Sequence, residues 1–327
     1  MLLNSNLKKV ALMTFLSLGA IACNNDDDAV IIPEPEPNSI ADIVENSADY
    51  SSLNAALEVA GLKATLAGDT EYTVFAPNNA AFSAFLADNG YANLSAVPVD
   101  VLTQVLLNHV LVGANFAADL STGYVQTAST SSPDDNNLSM YIGVGNIVLI
   151  NGTSAVTQAD IVADNGVIHA VDSVIELPDI TTFALADPTF EILVAALTRD
   201  DDFNFVPILQ TQDAPAPFTV FAPTNDAFVD FLDEFEAYTT LGDIEGDVLA
   251  AVLSYHVVTD ANVRSEDITD GMVVTTYEGG EFTIKTEGGV TITDENERIS
   301  NVVATDVQAT NGVIHVIDTV LFPDLMD

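Results

Sequence analysis

The chain has 327 residues, 48% of them apolar, and 49 acidic against 7 basic residues, for a formal net charge of −42. That length suits two ordinary domains with a sizeable core, and such a surface repels nucleic acid, because few cations are available to neutralise phosphates. A single cysteine excludes an intrachain disulfide and a cysteine zinc cluster.

Residues 1–22 read as an export signal. A short basic region (Lys8, Lys9) precedes an apolar run from Val10 to Ala22 that is too short to span a bilayer. The run ends in Gly19-Ala-Ile-Ala-Cys23, small residues before a lone Cys, which resembles the bacterial lipoprotein box. Ala20, where Leu is usual, departs from the pattern. The resemblance implies that Cys23 is lipidated and anchors the mature chain. The alternative is a plain secretory signal with an incidental Cys. Asn24-Asn-Asp-Asp-Asp28 follows and resembles the surface-export signal of Bacteroidetes lipoproteins, which implies an outer-membrane lipoprotein exposed on the cell surface. A simple polar tether is the other reading. Alternating Pro in Ile32-Pro-Glu-Pro-Glu-Pro-Asn38 favours an extended, semi-rigid spacer, so 23–38 is an acidic, Pro-rich tether.

The rest of the chain repeats itself. Tyr72-Thr-Val-Phe-Ala-Pro-Asn-Asn-Ala-Ala-Phe82 recurs as Phe218-Thr-Val-Phe-Ala-Pro-Thr-Asn-Asp-Ala-Phe228. Leu107-Asn-His-Val-Leu111 recurs as Ser254-Tyr-His-Val-Val258, and Asn165-Gly-Val-Ile-His-Ala-Val-Asp-Ser-Val-Ile175 as Asn311-Gly-Val-Ile-His-Val-Ile-Asp-Thr-Val-Leu321. Three blocks in one order at one spacing mean a duplicated domain, 39–179 and 180–327. The joint at Pro178 and Asp179 is short, so the domains are expected to touch.

Each copy opens on helical spacing: Ile40, Ile43 and Val44, then Leu53, Leu57 and Ala60 with Gly61 as the stop, matched by Phe190, Leu193, Val194 and Leu197. Thr73-Val-Phe75 is a short strand ended by Ala-Pro. Asn78 and Thr224 sit where a helix N-cap is wanted, and Asp226 suits the dipole of the helix that Thr224 starts. Phe82, Phe85 and Leu86 turn the next helix inward, as do Phe228, Phe231 and Leu232. Val101, Leu102, Val105 and Leu106 form a further apolar stripe that runs into the His block.

Each copy then turns to β pattern. Tyr141–Ile150 reads as strand, as do Phe282–Lys285 and Val290–Thr293, with Asn151-Gly152, Gly279-Gly280 and Gly288-Gly289 as hairpin turns. Val313-Ile-His-Val-Ile317 is apolar on both alternating faces and should be buried on both sides.

These boxes together resemble the fasciclin I domain, over residues 39–324. The resemblance implies an α+β fold: two tandem fasciclin-like domains, each a wedge of two packed β-sheets with several helices on one side. It also implies cell–cell or cell–matrix adhesion, with an extracellular protein or polysaccharide as partner; in the absence of a catalytic set, no enzymatic activity and no cofactor are expected. In animal members the Tyr-His block has been implicated in integrin recognition. Tyr255 and His256 match that block, and His109 occupies the first copy behind Asn108. These three are the candidate binding residues, and the alternative makes them core.

His169 and His315 lie in the doubly apolar strands and read as structural, with Asp172 and Asp318 closing the strands. Asp318 lies three residues from His315, so in a strand the two side chains take opposite faces and form no local dyad. The chain has no metal-binding motif, nucleophile elbow, Walker loop or dinucleotide fingerprint. The polar run Thr127–Asn137 differs between copies and is the expected variable contact loop. Capture of a glycan or of divalent cations, for uptake or matrix building, is the alternative function.

Overall fold

The computed structural model describes residues 38–325; Cys23 and most of the tether lie outside the described residues. In the first domain, helices α1 (Ile40–Asn46), α2 (Ser51–Val59) and α3 (Lys63–Leu66) precede strand β1 (Tyr72–Pro77). Helices α4 (Asn79–Asp88) and α5 (Val99–Leu107) come next. Strands β2 (Val110–Val112), β3 (Gly123–Gln126), β4 (Ser139–Val144), β5 (Val148–Ile150), β6 (Ser154–Ala163) and β7 (Gly166–Val171) finish it. The second domain repeats this order with α6 (Ile180–Ala186), α7 (Glu191–Leu197), α8 (Phe205–Leu209), β8 (Phe218–Pro223), α9 (Asn225–Glu234) and α10 (Gly246–Tyr255). Its strands are β9 (Val257–Val258), β10 (Met272–Thr275), β11 (Glu281–Lys285), β12 (Thr291–Thr293), β13 (Ile299–Ala309) and β14 (Gly312–Ile317).

Local chemistry accounts for the helix starts. The Asn78 side chain accepts the N–H of Ala81 at 2.9 Å, and Thr224 accepts that of Ala227 at 3.3 Å. Ser39 and Asp179 each form a capping box, Ser39 with Asp42 and Asp179 with Thr182. Gly61, with φ +69°, follows α2 in the left-handed conformation that ends a helix at little cost to glycine.

In each domain seven strands are hydrogen-bonded in one order, β2-β1-β7-β6-β5-β4-β3 and its equivalent β9-β8-β14-β13-β12-β11-β10. The two repeated boxes are neighbours, the second and third strands of that order. β1 and β7 pair in parallel, Tyr72 with Gly166 through Pro77 with Val171, and β8 pairs with β14 in the same register. Gly166 and Gly312 allow this: a Cβ on either would run into the backbone of Tyr72 or Phe218. The sheet does not stay flat. β6 and β13 carry register shifts against their neighbours, and Asp160 and Asp306 each take φ +60° there. Such bulges bend a strand, so each sheet folds over into two halves.

The bend creates two cores per domain. Alternation along β1 and β7 sends Val74, Ala76, Ile168 and Ala170 under the helices. Phe75 and Val171 face the other way, into the wedge with Met140, Ile142 and Ile150 of the second half. The second domain repeats the division, with Val220, Ala222, Ile314 and Val316 beneath its helices and Phe221 and Ile317 in the wedge with Phe282, Ile284 and Ile292. All six residues of β7 and of β14 are therefore buried. Full burial of each large apolar side chain contributes about 1.5–3 kcal/mol.

Two expectations need correction. Tyr141–Ile150 is not one strand: β4 and β5 fold back on each other through a bend at 145–147, with Ile142 opposite Ile150. Gly143, Gly145 and Asn146 interrupt the apolar run and permit it. The Thr127–Asn137 segment is a contact surface in part only: Pro133, Asp134, Asp135 and Asn137 are exposed, but the rest is anchored. Thr127, Ser129 and Ser132 are buried, and Gln104 of α5 accepts both the Ser129 hydroxyl and the Thr130 N–H at 2.9 Å.

Candidate functional site

The four histidines form two repeated arrangements. His109 follows α5, with its Nδ1–H donating to the Val105 carbonyl at 2.7 Å and its Nε2 accepting the Ile175 N–H at 2.8 Å. His256 follows α10 and does the same with Val252 at 2.7 Å and Leu321 at 2.9 Å. Burial holds both rings neutral, lowering each pKa to about 4, although the carbonyl each one meets favours the charged form. Both nitrogens of each ring are committed to backbone, so neither ring is set up to move a proton for a bound molecule.

Tyr255 belongs to the same buried layer. Its hydroxyl donates to the Glu281 carbonyl at 2.6 Å, and its ring meets Phe282 edge-on with centroids 6.0 Å apart. Burial, then the nearby Glu295 carboxylate, holds the phenol protonated well above its ordinary range. Asn108, at the matching position, donates to the Glu176 carbonyl at 3.0 Å. The exposures of Tyr255, His256 and His109 are 0%, 3% and 2%. The candidate binding residues are thus core residues of the folded domains, out of reach of a partner. The expectation looked at residue type, whereas burial is set by the strands that close over the helix end.

His169 and His315 lie on the wedge side of β7 and β14, over Phe75 and Phe221 with centroids 5.5 and 5.4 Å apart. His169 donates through Nε2 to the Asn115 carbonyl at 2.9 Å and accepts the Asp160 N–H on Nδ1 at 3.3 Å. His315 donates to the Val263 carbonyl at 2.8 Å, and burial lowers its pKa. Each His thus ties β7 or β14 to the loop after β2 or β9. Asp172 and Asp318 pair with neither ring. They accept the backbone N–H of Ala155 and Asn301, at 2.8 and 2.7 Å, and close the end of the antiparallel pair.

Asn165 and Asn311 carry a role that their sequence does not advertise. Asn311 accepts the Ile180 N–H at 3.0 Å and donates to the carbonyls of Leu209 at 2.7 Å and Thr211 at 3.0 Å. Asn165 makes the same three bonds, to Ile40, Leu66 and Gly68, each at 2.8 Å. One amide clamps the first helix to the segment before β1 or β8. Its repetition was the only signal available in sequence.

The domains meet through a polar and aromatic junction. The Tyr124 ring of β3 meets Phe183 of α6 edge-on at 5.6 Å, and its hydroxyl donates to buried Asp187 at 2.9 Å. Burial, with the Asp187 carboxylate, holds this phenol protonated. Tyr141 joins the second domain's core. The Gln308 N–H donates to the Ser139 hydroxyl at 2.9 Å, and the Asn262 amide to Asp134 at 2.6 Å. Asp134 belongs to the polar segment expected to be a variable contact loop, so part of that segment's contact is with the second domain.

The basic side chains are mostly neutralised where they stand: Lys63 by Glu45 at 2.9 Å, Arg199 by Asp200 at 2.6 Å and Arg298 by Glu234 at 3.0 Å. Among the described residues no group of three or more His, Cys, Asp or Glu is placed to share a metal ion.

Residues 48–178 and 188–323 each match the family model described as the fasciclin domain. Human periostin is 31% identical over 270 residues, covering 80% of this chain and 30% of periostin. The transforming growth factor-beta-induced protein ig-h3 of Oryctolagus cuniculus is 30% identical over 267 residues, covering 80% of this chain and 36% of that protein. The chain therefore spans about a third of the length of these two relatives. A FAS1 domain pair from the insect cell adhesion molecule fasciclin I shares the fold at a TM-score of 0.51 and 21% identity, covering 84% of this chain and 97% of that one. With both boxes paired side by side in each sheet and the match made twice, the chain belongs to the fasciclin domain family and carries its domain in tandem.

Proposed function

We propose that the chain is a lipid-anchored adhesion protein of the cell surface. In this reading Cys23 carries the lipid, the tether holds the folded part off the membrane, and the two fasciclin domains contact an extracellular protein or polysaccharide. The observation that carries it is the tandem fasciclin pair joined by the Tyr124–Asp187 contact, since the similar domain pair comes from a cell adhesion molecule. Two weak sites held on one body gain through effective concentration. Commitment of the histidines to backbone supports binding rather than catalysis.

The test is expression of the full chain and of Cys23→Ser on a bacterial host that lacks it. The wild type is expected to incorporate labelled palmitate, to sediment with the outer membrane and to increase cell–cell or cell–matrix attachment. Cys23→Ser should lose the label and the membrane fraction. A wild type without label refutes the anchor, and attachment equal to that of the empty host refutes adhesion.

A further inference from the structure

Beneath the helices of the second domain lies a cavity of about 140 Å³, between α6, α7, α8 and the face of β8 and β14. Phe190, Leu193, Leu209 and Ile314 wall it, and all four are buried. Its mouth is apolar as well. Leu185 there is 70% exposed, and Ala184, Val194 and Val206 are half-buried.

Comparison with the first domain, with Ile180 of α6 set on Ile40 of α1, shows what opens it. Ala184 stands where the first domain has fully buried Val44, and the smaller side chain leaves room. Leu185 and Val194 stand where the first domain has Glu45 and Asn54. Residues 198–204 separate α7 from α8, a longer connection than 60–62 between α2 and α3. One copy of a duplicated domain has thus become more open inside and more apolar at the rim, in a chain whose net charge is −42. The exposed Leu185 side chain adjoins half-buried Ala184, Val194 and Val206, so the entrance to the cavity is apolar.

The lining selects the ligand. Its few polar side chains are already paired. Thr181 donates to Asp179 at 2.8 Å, Thr198 to the Val194 carbonyl at 2.8 Å, and both His256 nitrogens hold backbone. A charged or hydrogen-bonding group entering here would lose its water and find no partner. The volume matches that of an engineered apolar cavity of about 150 Å³ that stays dry and binds benzene.

We propose that this cavity is a binding site for a neutral hydrocarbon group of roughly benzene size, an aromatic ring or the end of an alkyl chain, entering past Leu185 and Val194. The proposal rests on the cavity alone and does not depend on the adhesion reading.

The test is methyl-resolved NMR of the full chain titrated with benzene and, separately, with 1-hexanol. Saturable shifts are expected at Leu193, Val194, Leu209 and Ile314, with their first-domain counterparts Leu53, Leu66 and Ile168 unmoved. Response to benzene alone assigns a ring, and response to hexanol assigns a chain end. Ala184→Val, which installs the first domain's residue, should weaken binding at least about tenfold by filling the space. Leu185→Glu changes only the exposed rim and should weaken entry while leaving the fold intact. No saturable shift with either probe overturns the proposal, as do equal shifts in both domains or unchanged affinity in both variants.

Discussion

The Nε2 atom of His256 accepts the backbone N–H of Leu321, 65 residues further along the chain, at 2.9 Å. His109 holds Ile175 in the same way at 2.8 Å. Each ring stitches the end of a helix to the segment leaving β7 or β14. Protonation would put a second N–H against the one already there. With Nδ1 holding a carbonyl, the ring has no other way to turn.

Stability should therefore depend on pH through these two rings, with His315, whose pKa burial also lowers, adding in the same direction. The folded pKa of about 4 at His109 and His256 lies below the ordinary 6.5, so the unfolded chain binds the proton more tightly. The stabilisation is complete above about pH 6.5, declines as pH falls toward about 4, and levels off below it. Each ring accounts for roughly 3 kcal/mol of that decline. Acidification also relieves repulsion among the carboxylates, with the opposite sign. Urea unfolding of His256→Gln beside wild type at each pH removes that shared background. The variant should show about half the wild-type decline attributable to His109 and His256. An identical decline in both proteins would refute the assignment.

Asn311→Ala should destabilise the second domain by about 3 kcal/mol, since three hydrogen bonds at net ~1 kcal/mol each are lost and buried backbone groups are left unpaired. Asn165→Ala should cost the first domain a similar amount, because the same three bonds are made there. The check is denaturant unfolding of both variants with domain-specific probes. A loss below about 1 kcal/mol in both would remove the clamp from the account.

Tyr124→Phe keeps the ring against Phe183 and removes the bond to Asp187. A hydrogen bond to a charged group contributes about 2 kcal/mol. Tyr124→Ala removes the ring contact as well and should uncouple the domains. Calorimetry should then resolve two transitions where the wild type shows one. A single unchanged transition in Tyr124→Ala would mean that the junction transmits no stability.

The sequence by itself determined the duplication, the order of elements and the caps, because all of these are local or periodic. Asn78, Thr224 and Gly61 act through neighbours a few residues away, and the doubly apolar pattern of Val313–Ile317 follows from the strand period of two. The fasciclin resemblance rested on the same local boxes. Tertiary structure decided the rest. Whether Tyr255 and His256 faced solvent or core depended on Glu281 and Leu321, which the chain returns only after closing long loops. Asn311 became a clamp because parallel pairing of β8 with β14 brings Ile180 and Leu209 to it. The cavity beneath α6 and α7 is roomier because of what is missing at Ala184, and the absence of valine's two methyl groups has meaning only once the walls around them are in place.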